Sequence, residues 1–347
     1  MRAEVDSKVF QEFLFKIAMA MKMPKTSKDI LARFVDIDIK AEDVAKSIRS
    51  NQYVENSVMT HIKSLLKDKN PDLEAAGVLL GMVGTRDFVC ALQLIRTVSQ
   101  EFPALGPDGK FQFKPMDVLK YAKKTEEYVS ARHMPYADMA YAAGMMFDRM
   151  VAIGTEIYKA PKSYYDSVEE VYKHGLKSAR VGFEIANSVK SIGFSKVIFA
   201  ACLIHDVGKL AMELLYPEGS PNAYKNFNAD INKKPLNRHM IYFLECQRYG
   251  FTHDYYGAQL VWSFEVFRNI ERALLYHHQP YLTKSAKDIY NLASLIALSS
   301  NIARKYQPAK TSNDPVIHQW LTPELNDFRI APSVLVGVME KCSKESF

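Results

Sequence analysis

Of the chain's nine histidines, five between residues 174 and 278 stand in stretches that could do chemistry, His239 lying in polar surroundings. They are His174 in VEEVYKHGLKSA, His205 in LIHDVGK, His253 in GFTHDYYGA, and the adjacent His277-His278 in LLYHHQP. The stretch ACLIHDVGKLAMELL sets His205, Asp206 and Lys209 among residues that otherwise bury. Polar groups buried without partners cost free energy, so protein or metal must satisfy them. Glu170 precedes His174 by four residues, one turn away on the same helical face. The two can hold the same cation or adjacent ones, or simply a surface hydrogen bond. Neighbours on a helix point about 100° apart. His205 and Asp206 can nevertheless reach one centre beside a cleft, with Asp206 bridging two cations. Lys209, four residues past His205, can hold a phosphate oxygen as a point charge. The alternative is a buried His–Asp hydrogen bond with Lys209 snorkelling outward. His253 opens the helix HDYYGAQLVW, and His277-His278 ends the apolar helix ERALLYHH, where imidazoles also complement a helix dipole.

Taken together, five imidazoles and two carboxylates on helix ends or apolar faces are costly as unrelated buried groups. Imidazole and carboxylate without thiolate suit Fe, Mn, Zn, Ni or Co. The number of donors suits two ions better than one. Cys90, Cys202, Cys246 and Cys342 are far apart and form no CxxC pair. That argues against a cysteine zinc site or a disulfide framework, and fits a reducing compartment.

The elements that must position these groups read as helices. Apolar residues recur at helical spacing over 8–22, 41–50, 53–67, 72–84 and 86–100, and no NG or DG hairpin joins alternating β-branched runs. The fold class is all-α. Residues 101–114, rich in Pro and Gly, mark the domain boundary, and 216–235 and 306–324 read as further long loops. Asp166 and Glu169 form a capping box at a helix start, and Pro332 suits the first turn of a last helix. A faint echo relates 136–150 to 195–210, with Phe147 standing where His205 is and Tyr121 where His174 would fall. In 347 residues with a net charge of +6 there is no dense Lys/Arg block and no apolar run of membrane-spanning length. The expectations are a cytoplasmic protein, no membrane association and no clear nucleic-acid surface.

HDVGK resembles the signature of the HD superfamily of metal-dependent phosphohydrolases. The order His174, His205-Asp206, His253, His277-His278 resembles the ligand order of its HD-GYP branch. That resemblance implies a centre of two or three metals, joined in some members by the Glu four before the first His, here Glu170. Over most of 20–306 the chain is more similar to HDOD proteins, which act as signalling or regulatory modules. The carrying stretches are the Pro-containing opening MKMPKTSKDILARF, the LLGMVGTRDFV helix, and the His–Gly–Trp–paired-His run GFTHDYYGAQLVWSFEVFRNIERALLYHHQP. The implied architecture is an N-terminal helical bundle, residues 1–105, packed on a C-terminal HD-superfamily helical domain, residues 106–347.

Two departures stand out. HHQPYLTKSAKDIY lacks the GYP loop, and in LIALSSNIARK the position of the family's last metal Asp reads Ser300, with Asp288 or a water as substitutes. Both argue against full activity. The first functional reading is an HDOD-type regulatory module that keeps a di-metal site and works through a protein partner. The second is a metal-dependent phosphohydrolase or phosphodiesterase acting on a nucleotide or other phosphoester. In it His205, His253, His277 and Asp206 are metal ligands, Asp206 orients the water, and Lys209 contacts the phosphate. The cofactor expected in both is a divalent transition metal (Fe, Mn, Zn or Ni), as two ions.

Overall fold

The computed structural model describes residues 7–33, 40–66, 72–73, 79–98, 114–189, 195–232, 238–304, 328 and 330–343. Among them every regular element is a helix. No helix of the described residues is long and apolar enough to cross a membrane. The chain divides into two compact units, one of Lys16–Lys159 with Ser263–Val266, the other of Met1–Phe15, Ala160–Trp262 and Phe267–Phe347. The boundary expected within 101–114 lies outside the described residues except at Lys114, and the loop expected over 306–324 lies outside them entirely.

The first unit takes its helices from α1 (Ser7–Met21), whose course passes from one unit to the other, through α2 (Lys25–Arg33), α3 (Ala41–Arg49), α4 (Gln52–Leu66), α5 (Gly81–Val98), α6 (Pro115–Val118), α7 (Lys120–Ser130) and α8 (Ala137–Glu156). Helical spacing turns Ile30, Val44, Ile48, Val54, Val58, Ile62, Phe88 and Leu92 into one buried cluster. The helix expected over 72–84 is interrupted. Gly81 adopts a φ of +68°, a conformation open to glycine, and α5 begins there. Beside the apolar cluster, Arg86 pairs with Asp87 (2.8 Å) and Glu126 (2.7 Å), while Lys123 reaches both carboxylates at 3.0 and 2.9 Å.

The sequence echo has a geometric counterpart. Tyr121 of α7 and Phe147 of α8 pack with ring centroids 5.9 Å apart, as His174 and His205 do at 5.2 Å. Asp148 stands where Asp206 does in the echo. Its carboxylate accepts the backbone N–H groups of Tyr121 and Ala122 at 2.8 and 2.9 Å, capping the start of α7.

The second unit holds α9 (Lys162–Ser188), α10 (Ser195–Ile204), α11 (Gly208–Leu215), α12 (Tyr224–Asn232), α13 (Arg238–Tyr249), α14 (His253–Phe264), α15 (Glu271–Leu275), α16 (Lys287–Arg304) and α17 (Pro332–Ser343). The long α9 packs on α10, α16 and α17. It starts at Lys162 behind Pro161, four residues before the expected capping box, so Asp166 lies inside it. The proline's φ of −69° already suits the entry to a helix. Pro332 does open the last helix. The stretch 216–235, expected to be a loop with almost no core, instead contains α12. Tyr216, Ala223, Tyr224 and Ile231 bury there, and Tyr224 packs on Tyr249 and Phe227.

Two close approaches bring the histidine-bearing segments together. A Cβ at Gly175 would lie 2.1 Å from the Leu203 carbonyl oxygen, so only glycine lets α9 press against the end of α10. A Cβ at Gly208 would lie 1.9 Å from the His253 carbonyl oxygen, so the start of α11 crosses the start of α14 backbone to backbone.

Candidate metal centre

Apart from His174, which lies within α9, the histidines of the cluster sit at helix junctions rather than along helix faces. α10 ends at Ile204, and Val207, Lys209 and Leu210 donate to carbonyls three residues back. His205 and Asp206 therefore occupy a tight turn before α11. The expectation of two neighbours splayed on a continuous helix is corrected: the turn lets both side chains face one centre. It also redirects Lys209, whose ammonium pairs with Asp206 at 2.6 Å instead of sharing a face with His205. His277 and His278 sit in the turn after α15, and His253 opens α14.

Six of the expected residues converge. Donor atoms of Asp206, His253, His277 and His278 lie within 4.8 Å of one another, and so do those of His174, His205 and Asp206. Asp206 belongs to both groups. Its Oδ1 is 3.2 Å from His253 Nε2 and 3.9 Å from His277 Nε2, while its Oδ2 is 3.4 Å from His205 Nε2 and 3.7 Å from His174 Nε2. All except His174, which is partly exposed, are buried.

The fold fixes which nitrogen faces the centre. His205 Nδ1 lies 2.7 Å from the Cys202 carbonyl and His277 Nδ1 2.6 Å from the Leu274 carbonyl, each three residues back. A carbonyl only accepts, so Nδ1 carries the proton and Nε2 is left as a donor of electrons to the centre. His253 Nδ1 is held by Glu245, 2.8 Å from both carboxylate oxygens. Glu245 also accepts the His253 backbone N–H (3.0 Å) and the Tyr224 hydroxyl (2.6 Å). Carboxylate–imidazole pairs of this kind orient metal-binding histidines and raise their basicity.

Several buried atoms here have no hydrogen-bond partner: Asp206 Oδ1, both oxygens of Asp254, His277 Nε2 and His278 Nδ1. Each such atom costs about 1–3 kcal/mol. All but His278 Nδ1 are donor atoms suited to a divalent cation among these residues. Protonation states agree. Burial, reinforced by neighbouring imidazoles, holds His277 and His278 well below the usual histidine range. Burial and then the Arg304 charge do the same to His174. Burial opposes ionisation of Asp206, but His205 and Lys209 outweigh it and hold the carboxyl well below its ordinary value. His174, His277 and His278 are thereby neutral imidazoles and Asp206 an ionised carboxylate, the forms that ligate metals. His253 differs. Burial disfavours its charge, yet Glu245 and Asp254 raise it well above the ordinary range.

Three further expectations concern Glu170, Asp288 and Ser300. Glu170 is exposed on α9 and is not among the converging donors. Asp288 is exposed at the start of α16, twelve residues and about 18 Å of helix from Ser300, and is no substitute ligand. Ser300 itself lies between the rings, its Oγ 3.1 Å from both His174 Nε2 and His205 Nε2. Three participants were not foreseen. Asp254 Oδ1 lies 2.9 Å from His253 Nε2 and 3.6 Å from His278 Nε2. Glu245 holds His253. Arg304, one turn past Ser300, lies 3.4 Å from Asp206 Oδ2. The sequence signal for Asp254 was the second His-Asp dipeptide; Glu245 and Arg304 gave none.

The HDOD domain family matches residues 149–280. That span holds every converging histidine together with Asp206, Glu245 and Asp254, and stops short of Ser300 and Arg304. A comparison with curated proteins finds no match. Among solved structures, a protein from Shewanella amazonensis SB2B described as "Putative phosphohydrolase" aligns over 96% of this chain and 93% of its own, at 16% identity and a TM-score of 0.42. A likeness at that level carries no argument about this chain.

Proposed function

We propose that this protein is a regulatory module of the HDOD kind built around a divalent transition-metal centre of Fe, Mn, Zn or Ni, acting through a protein partner. The observation that carries the metal reading is the set of buried, unpartnered donor atoms in one cluster. Asp206, His253, His277 and His278 would hold the principal ion, with Asp254 beside them. His174, His205 and the other oxygen of Asp206 form a second, poorer position, in which Ser300 offers a hydroxyl where a carboxylate would bind better. Glu170 is too exposed to join either. The ligand order still resembles the HD-GYP branch, without the GYP loop.

A second reading, phosphoester hydrolysis, draws on the cations beside Asp206. A bound divalent ion supplies Lewis acidity and an activated water. The chain's own part would be to position the water through Asp206, hold a phosphate oxygen with Lys209, and keep His205 and His277 in the right tautomer through their carbonyl contacts.

Elemental analysis of the purified chain, followed by a generic phosphodiester assay, separates the two. Metal without turnover supports the regulatory module. Turnover abolished by His205→Ala and Asp206→Ala supports the hydrolase. A chain that binds none of these metals refutes both.

A further inference from the structure

Asp206 divides its environment between its two oxygens. Oδ1 faces the imidazoles of His253 and His277 and has no hydrogen-bond partner. Oδ2 faces cations: the Lys209 ammonium at 2.6 Å and the Arg304 guanidinium at 3.4 Å. The three-donor group of His174, His205 and Asp206 must use that same Oδ2 side, since both imidazole Nε2 atoms lie closest to it. A divalent ion placed there would sit against an ammonium and a guanidinium already paired with its one anionic ligand. The remaining donors, two imidazoles and the Ser300 hydroxyl, bring no negative charge to offset that repulsion. Beside Oδ1, by contrast, a second carboxylate is at hand: Asp254 Oδ1 lies 3.7 Å from His277 and 3.6 Å from His278.

Accessibility runs the same way. The side chains of Arg304 and His174 are 26% and 19% exposed, whereas those of Asp206, His205, His253 and His277 are at most 2% exposed. A ligand from solvent therefore meets the cationic side of Asp206 first. Arg304 uses one of its five N–H donors in this contact, and at 3.4 Å it is a long one. A planar fork with free donors matches two oxygens of a phosphoryl group, and the ammonium beside it adds a point charge.

We infer that Arg304 and Lys209 stand in place of a second metal ion, so that the protein holds one divalent cation and the Arg304–Lys209 pair forms the subsite for the oxygens of a phosphoryl group, whether free phosphate or a phosphoester. This rests on the metal centre proposed above and names the ligand chemistry of its open side. It does not require turnover.

The experiment uses the full chain loaded with Mn²⁺ or Zn²⁺. Tightly held metal is counted by elemental analysis, and inorganic phosphate is titrated by calorimetry at fixed ionic strength. Wild type should hold one equivalent of metal and bind phosphate. Arg304→Gln should keep the one equivalent and bind phosphate about tenfold or more weakly, the cost of a charge-assisted contact. Arg304→Lys, which keeps the charge and loses the fork, should fall between them and guards against a folding defect in the first variant. Two tightly held equivalents in wild type overturn the inference. Unchanged phosphate affinity in Arg304→Gln with metal retained, or no phosphate binding by metal-loaded wild type, overturns it while leaving the metal centre standing. A wild type that holds no metal overturns the centre and the inference together. Titration with a phosphate monoester beside inorganic phosphate tells the two sources of the group apart.

Discussion

Glu245 touches none of the other ligands of the cluster, yet it controls His253. Its carboxylate receives the Nδ1 proton and the backbone N–H of His253 and the hydroxyl of Tyr224, all in a fully buried setting. In Glu245→Gln the amide keeps one acceptor oxygen for three donors and brings two donors of its own. At least one of the three donors must lose its acceptor, and the charge that aligns the His253 ring goes with it. A hydrogen bond to a charged partner contributes about 1.5–3 kcal/mol. Losing one such bond fits the about 10–100-fold fall in metal affinity usual when an orienting carboxylate is removed. The expected result is that Glu245→Gln binds Zn²⁺ about 10–100-fold more weakly in a competition titration against a chromophoric chelator. Tyr224→Phe, which leaves both His253 contacts in place, should lose less. Equal or tighter affinity in Glu245→Gln, with wild-type helicity by circular dichroism, would refute the reasoning that His253 is a ligand whose orientation Glu245 sets.

Other outcomes follow from the same coordinates. Gly175→Ala puts a methyl 2.1 Å from the Leu203 carbonyl oxygen. Denaturant unfolding should show a loss of about 1–3 kcal/mol as α9 and α10 are forced apart. Glu170→Gln should leave metal affinity within about twofold, because that side chain is exposed and outside the cluster. A tenfold loss in the same chelator titration would restore it as a ligand. Burial pushes the Asp148 carboxyl up to about 7, against the pull of the Tyr121 and Ala122 N–H groups. Between the unfolded value near 4 and that folded value, the folded state binds more protons, so this group's contribution to stability declines as pH rises. The stability difference between wild type and Asp148→Asn should therefore shift against wild type from pH 4 to pH 8 in denaturant titrations, and a difference that stays constant would refute the assignment.

Much of the centre was legible because its chemistry is written in residue types that rarely bury without cause. His205-Asp206 and His277-His278 announce themselves inside apolar stretches, and helical periodicity identifies the carriers. What periodicity cannot reveal is where a helix breaks when the apolar pattern runs on. Nothing in ACLIHDVGKLAMELL marks the turn at 205–207, because its residues are as buried as the helices on either side. α12 escapes the pattern for the opposite reason: its sequence is polar, and its burial depends on one face anchored by Tyr224. Glu245 contributes through a contact made eight residues away across the turn at Gly250, which spacing on one helix does not encode. Arg304 looks like an ordinary basic residue in the last turn of a helix until Asp206 is placed opposite it.

The donors of the cluster come from the turn after α10, the start of α14 and the turn after α15, segments well separated along the chain. An ion shared among them is a cross-link as well as a cofactor. Like a disulfide closing long loops, it would shrink the conformational freedom of the unfolded chain and hold those junctions in register. The lifetime of the folded second unit, and its resistance to proteases, would then follow the supply of metal around it.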